Sequence, residues 1–84
     1  MYILTLYNAG TEEIVSAQVF NCEKNARTAM EMQYKREYND CLNSGYDEDE
    51  LENTSSIGEY YATLGWGYLE DPYKWDITKA EVED

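Results

Sequence analysis

The feature of this sequence that most constrains its fold is a helical repeat of apolar side chains in the middle of the chain. The repeat has spacings of three and four residues and consists of Ala26, Ala29, Met30, Tyr34, Tyr38, Cys41 and Leu42. Such spacing places all of its members on one face of an α-helix. Asn21 is a favourable N-cap, and Gly45 can take the left-handed conformation that ends a helix. The pattern predicts one helix of about 20 residues that packs through a single face.

Residues on both sides of this helix show the two-residue alternation of β-strands. Residues 2–7 and 13–20 are rich in branched and aromatic side chains, and turn-forming residues lie between them, so they predict a β-hairpin. After the single proline, residues 73–80 alternate with Trp75 and Ile77 on one face, which predicts the last strand.

The remaining segments complete an α+β domain. Residues 57–64 can form a strand or a short helix, and the strand is favoured because tyrosine and threonine suit a pleated surface. Residues 46–56 predict an exposed acidic loop or a single helical turn, and residues 81–84 a frayed acidic tail. The expected fold of residues 1–84 is a single domain with the order ββαββ, a small antiparallel sheet with one long helix packed on one face.

The charge of the chain is strongly negative and unevenly distributed. Eighteen acidic residues face six basic ones, for a formal net charge of −12, and no histidine is present to change it near neutral pH. Residues 1–39 have a net charge of −1 and residues 40–84 a net charge of −11. Such a surface disfavours binding to nucleic acid or to an anionic membrane and favours a basic protein surface as partner. Self-repulsion predicts a monomer.

Common catalytic arrangements are missing from the sequence. Without histidine there is no Ser-His or Cys-His pair, and Cys22 and Cys41 do not form a Cys-x-x-Cys motif. We expect both cysteines to be free thiols in a reducing cytoplasm. The Gly65-Trp66-Gly67 segment lacks the third glycine and the lysine of a phosphate-binding loop. The sequence therefore predicts a cytoplasmic protein without enzymatic activity and without a cofactor.

A calcium site is the one metal site that the sequence suggests. Asp47, Asp49 and Asn53 supply oxygen ligands at spacings close to those of an EF-hand loop. However, Glu52 stands where that loop requires glycine, and Gly58 where it requires glutamate. We therefore expect no bound metal.

Acidic and aromatic residues of the C-terminal half are the candidate partner-binding residues. The acidic candidates are Asp47, Glu48, Asp49, Glu50, Glu52, Glu70 and Asp71. The aromatic candidates are Trp66 and Tyr68, which lie beside Glu70 in an aromatic loop. Aromatic anchors surrounded by charge are typical of protein-binding hot spots. The alternative is that both aromatic side chains cover the open face of a thin sheet.

In size, in its acidic run at 47–52 and in its aromatic-rich αβ composition, the chain resembles the small acidic DNA-mimic proteins of phages and mobile elements, the anti-CRISPR and anti-restriction inhibitors. The resemblance implies binding to the DNA-recognition surface of a defence nuclease, with RNA-guided nucleases of the Cas9 type favoured. Carboxylates would then pair with the arginines that normally contact DNA. The alternative is a small regulatory or assembly module that binds a protein through Trp66 and Tyr68, with the acidity serving solubility.

Overall fold

The structure, a computed structural model, describes residues 1–80 and is an α+β fold with a five-stranded antiparallel sheet and one long helix. Its elements are β1 Tyr2–Asn8, β2 Glu13–Phe20, α1 Glu23–Asn43, α2 Glu48–Asn53, β3 Ser56–Ile57, β4 Tyr61–Leu64 and β5 Tyr73–Lys79. The predicted hairpin, long helix and last strand are confirmed. Residues 81–84, for which the sequence predicts a frayed tail, lie outside the described residues.

The strands follow the order β2-β1-β5-β4-β3, with every neighbouring pair antiparallel. The segment 57–64, predicted as a single strand, instead contributes to two short strands. The turn between them is closed by the Gly58 amide, which donates to the Tyr61 carbonyl at 2.7 Å. The predicted order ββαββ is therefore one strand short, because a tight turn interrupts a segment that is uniformly rich in strand-forming residues.

Helix α1 packs on one face of the sheet and encloses the core. The buried apolar residues are Leu4, Leu6, Ala26, Met30, Leu51, Ala62, Leu64, Trp75 and Ile77. Trp75 is fully buried at the centre, where its indole Nε1 donates to Gln33 Oε1 at 3.1 Å. The ring of Tyr34 meets the Trp75 ring edge-on at a centroid distance of 5.9 Å. One side chain of β5 thus holds α1 in position by packing and by a hydrogen bond.

The ends of α1 differ from the prediction at the N-terminus alone. The N-cap is Cys22 rather than Asn21, and its side chain makes no capping hydrogen bond. The Cys22 carbonyl accepts the first helical hydrogen bond, from the Ala26 amide. The helix therefore begins one residue later than an Asn21 cap would place it. At the other end Gly45 has a φ of 95°, in the left-handed conformation that the sequence predicts.

The acidic segment 46–56 contains a short second helix at Glu48–Asn53, so of the two predicted alternatives, an exposed loop or a single helical turn, the structure has the helical one. The Asp47 side chain accepts a hydrogen bond from the Glu50 amide at 3.1 Å, which is the geometry of an N-cap. Leu51 is the single apolar residue of the acidic run and is fully buried in the core. Burial of one leucine, together with the aspartate cap, turns the run into a helix that is fixed to the body of the protein.

Neither helix within residues 1–80 is long and apolar enough to cross a membrane.

Candidate functional site

Helix α2 presents most of the acidic run to solvent. Glu48, Asp49, Glu50 and Glu52 are exposed, whereas Leu51 points into the core. Acidic side chains in the first turn are favoured by the helix dipole, so their mutual repulsion is partly offset. Asp47 is also exposed, but its carboxylate serves as the cap. Four carboxylates of the run are therefore exposed and play no part in capping, and the fifth, that of Asp47, caps the helix.

These carboxylates lie beside the C-terminal half of α1. Burial and then the charges of Glu52, Glu48 and Asp49 raise the pKa of Tyr38 above its ordinary value. Anionic groups close to a tyrosine disfavour the negatively charged phenolate, so they add to the effect of burial on this pKa. Helix α2 thus flanks α1 on the side of Tyr38.

A second group of carboxylates lies beside Cys41 of α1 and lines an open groove of about 260 Å³. Its acidic residues are Glu37, Asp40, Glu70 and Asp71, and no basic residue of the described part of the chain lines it. Burial, followed by the charges of Glu37 and Asp40, raises the pKa of the Cys41 thiol. Glu70 and Asp71, which are candidate residues from the sequence, therefore share this groove with two carboxylates of α1. The sequence did not indicate these two, Glu37 and Asp40.

Tyr46 and Tyr68 connect the two groups. The Tyr68 hydroxyl accepts from the Asp47 amide at 3.0 Å, and the two tyrosine rings meet edge-on at 5.7 Å. Tyr46 in turn lines the groove beside Glu70. Tyr68 also packs against the hydrophobic core, so it positions the acidic segments rather than standing free as an anchor.

We call the combined surface the acidic ridge. It consists of Glu37, Asp40, Asp47, Glu48, Asp49, Glu50, Glu52, Glu70 and Asp71. Within residues 1–80, the ion pairs are Arg36 with Glu37 at 3.8 Å and Lys74 with Asp76 at 3.7 Å. One member of the ridge is therefore paired, through an exposed arginine, and its other carboxylates have no basic partner within 4.0 Å among the described residues.

The loop that carries Glu70 and Asp71 is held from two directions. The Ala9 amide in the β1–β2 turn donates to the Pro72 carbonyl at 2.7 Å. A Cβ atom on Gly10 would approach the Glu70 carbonyl oxygen to 2.8 Å, so the turn and the loop pack backbone to backbone. On the other side, Gly65 has a φ of 72° and accepts from the Leu69 amide at 2.8 Å. The two carboxylates thus sit on a supported loop.

Trp66 lies away from the ridge. Its side chain is 57% exposed and lines an open recess of about 490 Å³, together with Asn53, Thr54, Ser55, Ser56, Thr63 and Lys74. Its amide donates to the Thr54 carbonyl at 2.8 Å, which fixes its backbone but not its ring. The two aromatic residues predicted to act together are therefore separated. Tyr68 packs against the core, whereas Trp66 lies beside Thr63 and Lys74 at the sheet face opposite α1, which both were alternatively expected to cover.

Metal coordination finds no support in this geometry. Among the described residues, no group of three or more Cys, Asp or Glu side chains is arranged to hold a metal ion. Cys22 and Cys41 are free thiols, the first exposed and the second half-buried.

The raised pKa values of three tyrosines and one cysteine in this region predict how the stability of the fold changes at alkaline pH. Burial raises the pKa of Tyr34, Tyr38 and Tyr73 above the ordinary value of 10.0, and that of Cys41 above 9.0. The folded protein therefore keeps protons that the unfolded chain releases, and stability falls as pH rises through 9 and beyond 10. We expect the urea midpoint to be lower at about pH 11 than at pH 8. An unchanged midpoint would contradict the burial of these groups.

The chain matches no protein-family model, no curated protein and no solved structure.

Proposed function

We propose that this protein is a non-enzymatic inhibitor that occupies the DNA-recognition surface of a nuclease by imitating the charge of nucleic acid. The observation that carries the proposal is the acidic ridge. Three separate segments bring nine carboxylates to the C-terminal half of α1, and one of the nine has a basic partner within the described residues. Leaving so many like charges together is unfavourable for the free protein, and a basic partner removes that repulsion.

The charge density of the ridge supports the same function. Duplex DNA has one negative charge for about every 1.7 Å of its axis, so a segment of about 15 Å carries roughly nine charges. The ridge offers this number beside the C-terminal half of α1, which is about 15 Å long. A groove lined with arginine and lysine to follow phosphates can accept such a surface.

The proposed mechanism is occupation without turnover or a cofactor. Arginines that normally contact phosphate or guanine would form charge-assisted, in part bidentate, hydrogen bonds with the carboxylates of Glu48, Asp49 and Glu70. The folded body behind these side chains would then exclude DNA sterically. The favoured target, by the resemblance described above, is a nuclease of the Cas9 type at the site that recognises the short duplex motif beside its target. The protein would act in the cytoplasm of a bacterial host.

An inhibition assay tests this proposal. The purified protein is titrated into DNA-cleavage reactions of several guide-loaded RNA-guided nucleases and restriction enzymes, and an unrelated protein of equal net charge serves as the control. We expect near-stoichiometric inhibition of a particular nuclease and steep weakening of the inhibition with salt, because exposed charges are screened. Absence of inhibition across the panel, or equal inhibition by the control protein, would contradict the proposal.

The exposure of Trp66 favours a second candidate function, a regulatory or assembly module that binds a protein partner through this side chain. An indole that is more than half exposed beside an open recess is a suitable hot-spot anchor. In that case the acidity serves solubility, and removal of Trp66 weakens partner binding more than changes in the ridge do.

A further inference from the structure

The sheet has a second face, opposite to α1, that no described helix covers. The half-exposed Trp66 side chain lines recesses at this face together with Tyr7, Thr63 and Lys74. Strand pairing assigns residues to it, because directly paired residues share a face and Leu4 and Leu6 point toward α1. We call this surface the open face. Its residues on the five strands are Ile3, Thr5, Tyr7, Ile14, Ala17, Val19, Ser56, Tyr61, Thr63, Lys74, Asp76 and Thr78.

Large apolar side chains are exposed at both ends of the open face. Val19 is 60% exposed and pairs with Ile3, and Ile14 is 63% exposed and pairs with Tyr7. Tyr61 on β4 is 52% exposed. Large apolar side chains exposed on one face of a domain favour association, and between these two groups β5 contributes the polar residues Lys74, Asp76 and Thr78.

The strand residues of the open face carry no net charge, in contrast to the acidic ridge, and Glu12 of the β1–β2 turn borders the face beside Tyr7 and Lys74. Lys74 and Asp76 are its charged residues on the strands, and they form an ion pair at 3.7 Å. The acidic ridge lies along α1, on the opposite side of the sheet. A partner for this face therefore needs an apolar and neutral surface, which is a different requirement from that of the ridge.

We propose that the open face binds the open face of a second copy of this chain, which forms a two-fold symmetric sandwich of two sheets. A two-fold axis brings the same patch together on both subunits, and a neutral apolar patch is complementary to itself. Sheets stacked in this way lie about 10 Å apart with their side chains interdigitated. The proposal goes beyond the inhibitory function, which requires the ridge alone.

The size of the face agrees with a dimer of moderate affinity. Five strands at a spacing of about 4.8 Å make a face about 24 Å wide, and its height is about 20 Å along β1 and β5. Two stacked copies therefore cover roughly 1,000 Å² in total, which is the lower limit of specific interfaces.

The distribution of charge allows this association despite the net charge of −12. Stacking through the open faces directs both acidic ridges outward, so the densest charges of the two copies are as far apart as the fold permits. The remaining repulsion is long-range and is screened by salt. Dimerisation should therefore strengthen with salt, whereas binding of the ridge to a basic partner should weaken. The prediction of a monomer rests on the net charge of the whole chain and does not take the distance between the two ridges into account.

Sedimentation equilibrium of the full chain from low micromolar to millimolar concentration tests the proposal. We expect a monomer–dimer equilibrium whose dissociation constant falls on addition of salt. Val19→Lys introduces a charge into the interface twice by symmetry and should raise the dissociation constant about 100-fold. Tyr61→Lys, at the other end of the open face, should have the same effect.

Met32→Lys is the matched control, because Met32 is 67% exposed on α1 and the substitution changes the net charge equally. This variant should dimerise like the wild type, and circular dichroism should show that all three variants are folded. A wild-type protein that remains monomeric at millimolar concentration and high salt would overturn the proposal. Dimerisation that is unaffected by both open-face substitutions would overturn it equally.

Discussion

Replacement of Trp75 by alanine should leave most of the protein unfolded at 25 °C. Trp75 is fully buried between β5 and α1, and truncation of a buried aromatic side chain costs about 3–5 kcal/mol. A domain of this size has a core that supplies about 3–5 kcal/mol of stability in total. The substitution also removes the hydrogen bond to Gln33, whose side chain then loses its partner in the core. Near-ultraviolet circular dichroism and urea titration measure the effect.

Trp66→Ala is the matched control for this prediction. It removes the same side chain at a position that is 57% exposed, so we expect a change in unfolding free energy within about 0.5 kcal/mol. Trp75→Phe should be intermediate, because it keeps most of the buried ring and loses the indole hydrogen bond. A Trp75→Ala variant with the urea midpoint of the wild type would show that the core is not organised around this residue.

Reversal of three charges on the acidic ridge should abolish inhibition of the target nuclease. The variant Glu48→Lys, Asp49→Lys, Glu70→Lys places basic side chains where arginines of the target are expected. Loss of one close charge pair at a protein interface costs about 1.5 kcal/mol or more, so three reversals should weaken binding at least about 1,000-fold. Isothermal titration calorimetry against the purified nuclease measures the loss.

The choice of residues follows from the structure. Asp47 is excluded because its carboxylate caps α2, and its replacement would cost about 0.5–2 kcal/mol of stability in addition to a charge. The control variant is Glu12→Lys, Glu31→Lys, Glu59→Lys, which has the same net charge and changes exposed residues outside the ridge. An equal loss of affinity in this control would indicate that net charge, not the ridge, carries binding. A larger loss in Trp66→Ala than in the ridge variant would favour the aromatic module instead.

Periodicity in the sequence predicted the elements whose apolar pattern is long. Helix α1 and β5 repeat their apolar residues over several turns or pleats, so local pattern and tertiary packing agree. The bounds of the short elements could not be predicted, because their causes are not periodic. Helix α2 depends on one buried leucine, Leu51, and on the Asp47 cap. The division of residues 57–64 depends on the turn at Gly58.

The candidate site could be predicted in its acidic part but not in its geometry. Trp66 and Tyr68 are two residues apart, yet one is exposed and the other packs against the core. Between them Gly67 has a φ of 82°, which reverses the chain in a way that strand or helix spacing cannot anticipate. Glu37 and Asp40 were overlooked because they belong to the helix with most of the basic residues. Their positions beside Cys41, at the margin of the apolar stripe, were the available signal.

If the acidic ridge takes the place of DNA on the proposed target nuclease, this protein and DNA cannot bind the nuclease at the same time. A competition experiment between this protein and a short fluorescent duplex that contains the recognition motif of the inhibited nuclease tests this directly. We predict that the apparent dissociation constant of the duplex rises in proportion to the concentration of the protein, and that the ridge variant fails to displace the duplex. A nuclease saturated with the protein that still binds the duplex with unchanged affinity would contradict the claim.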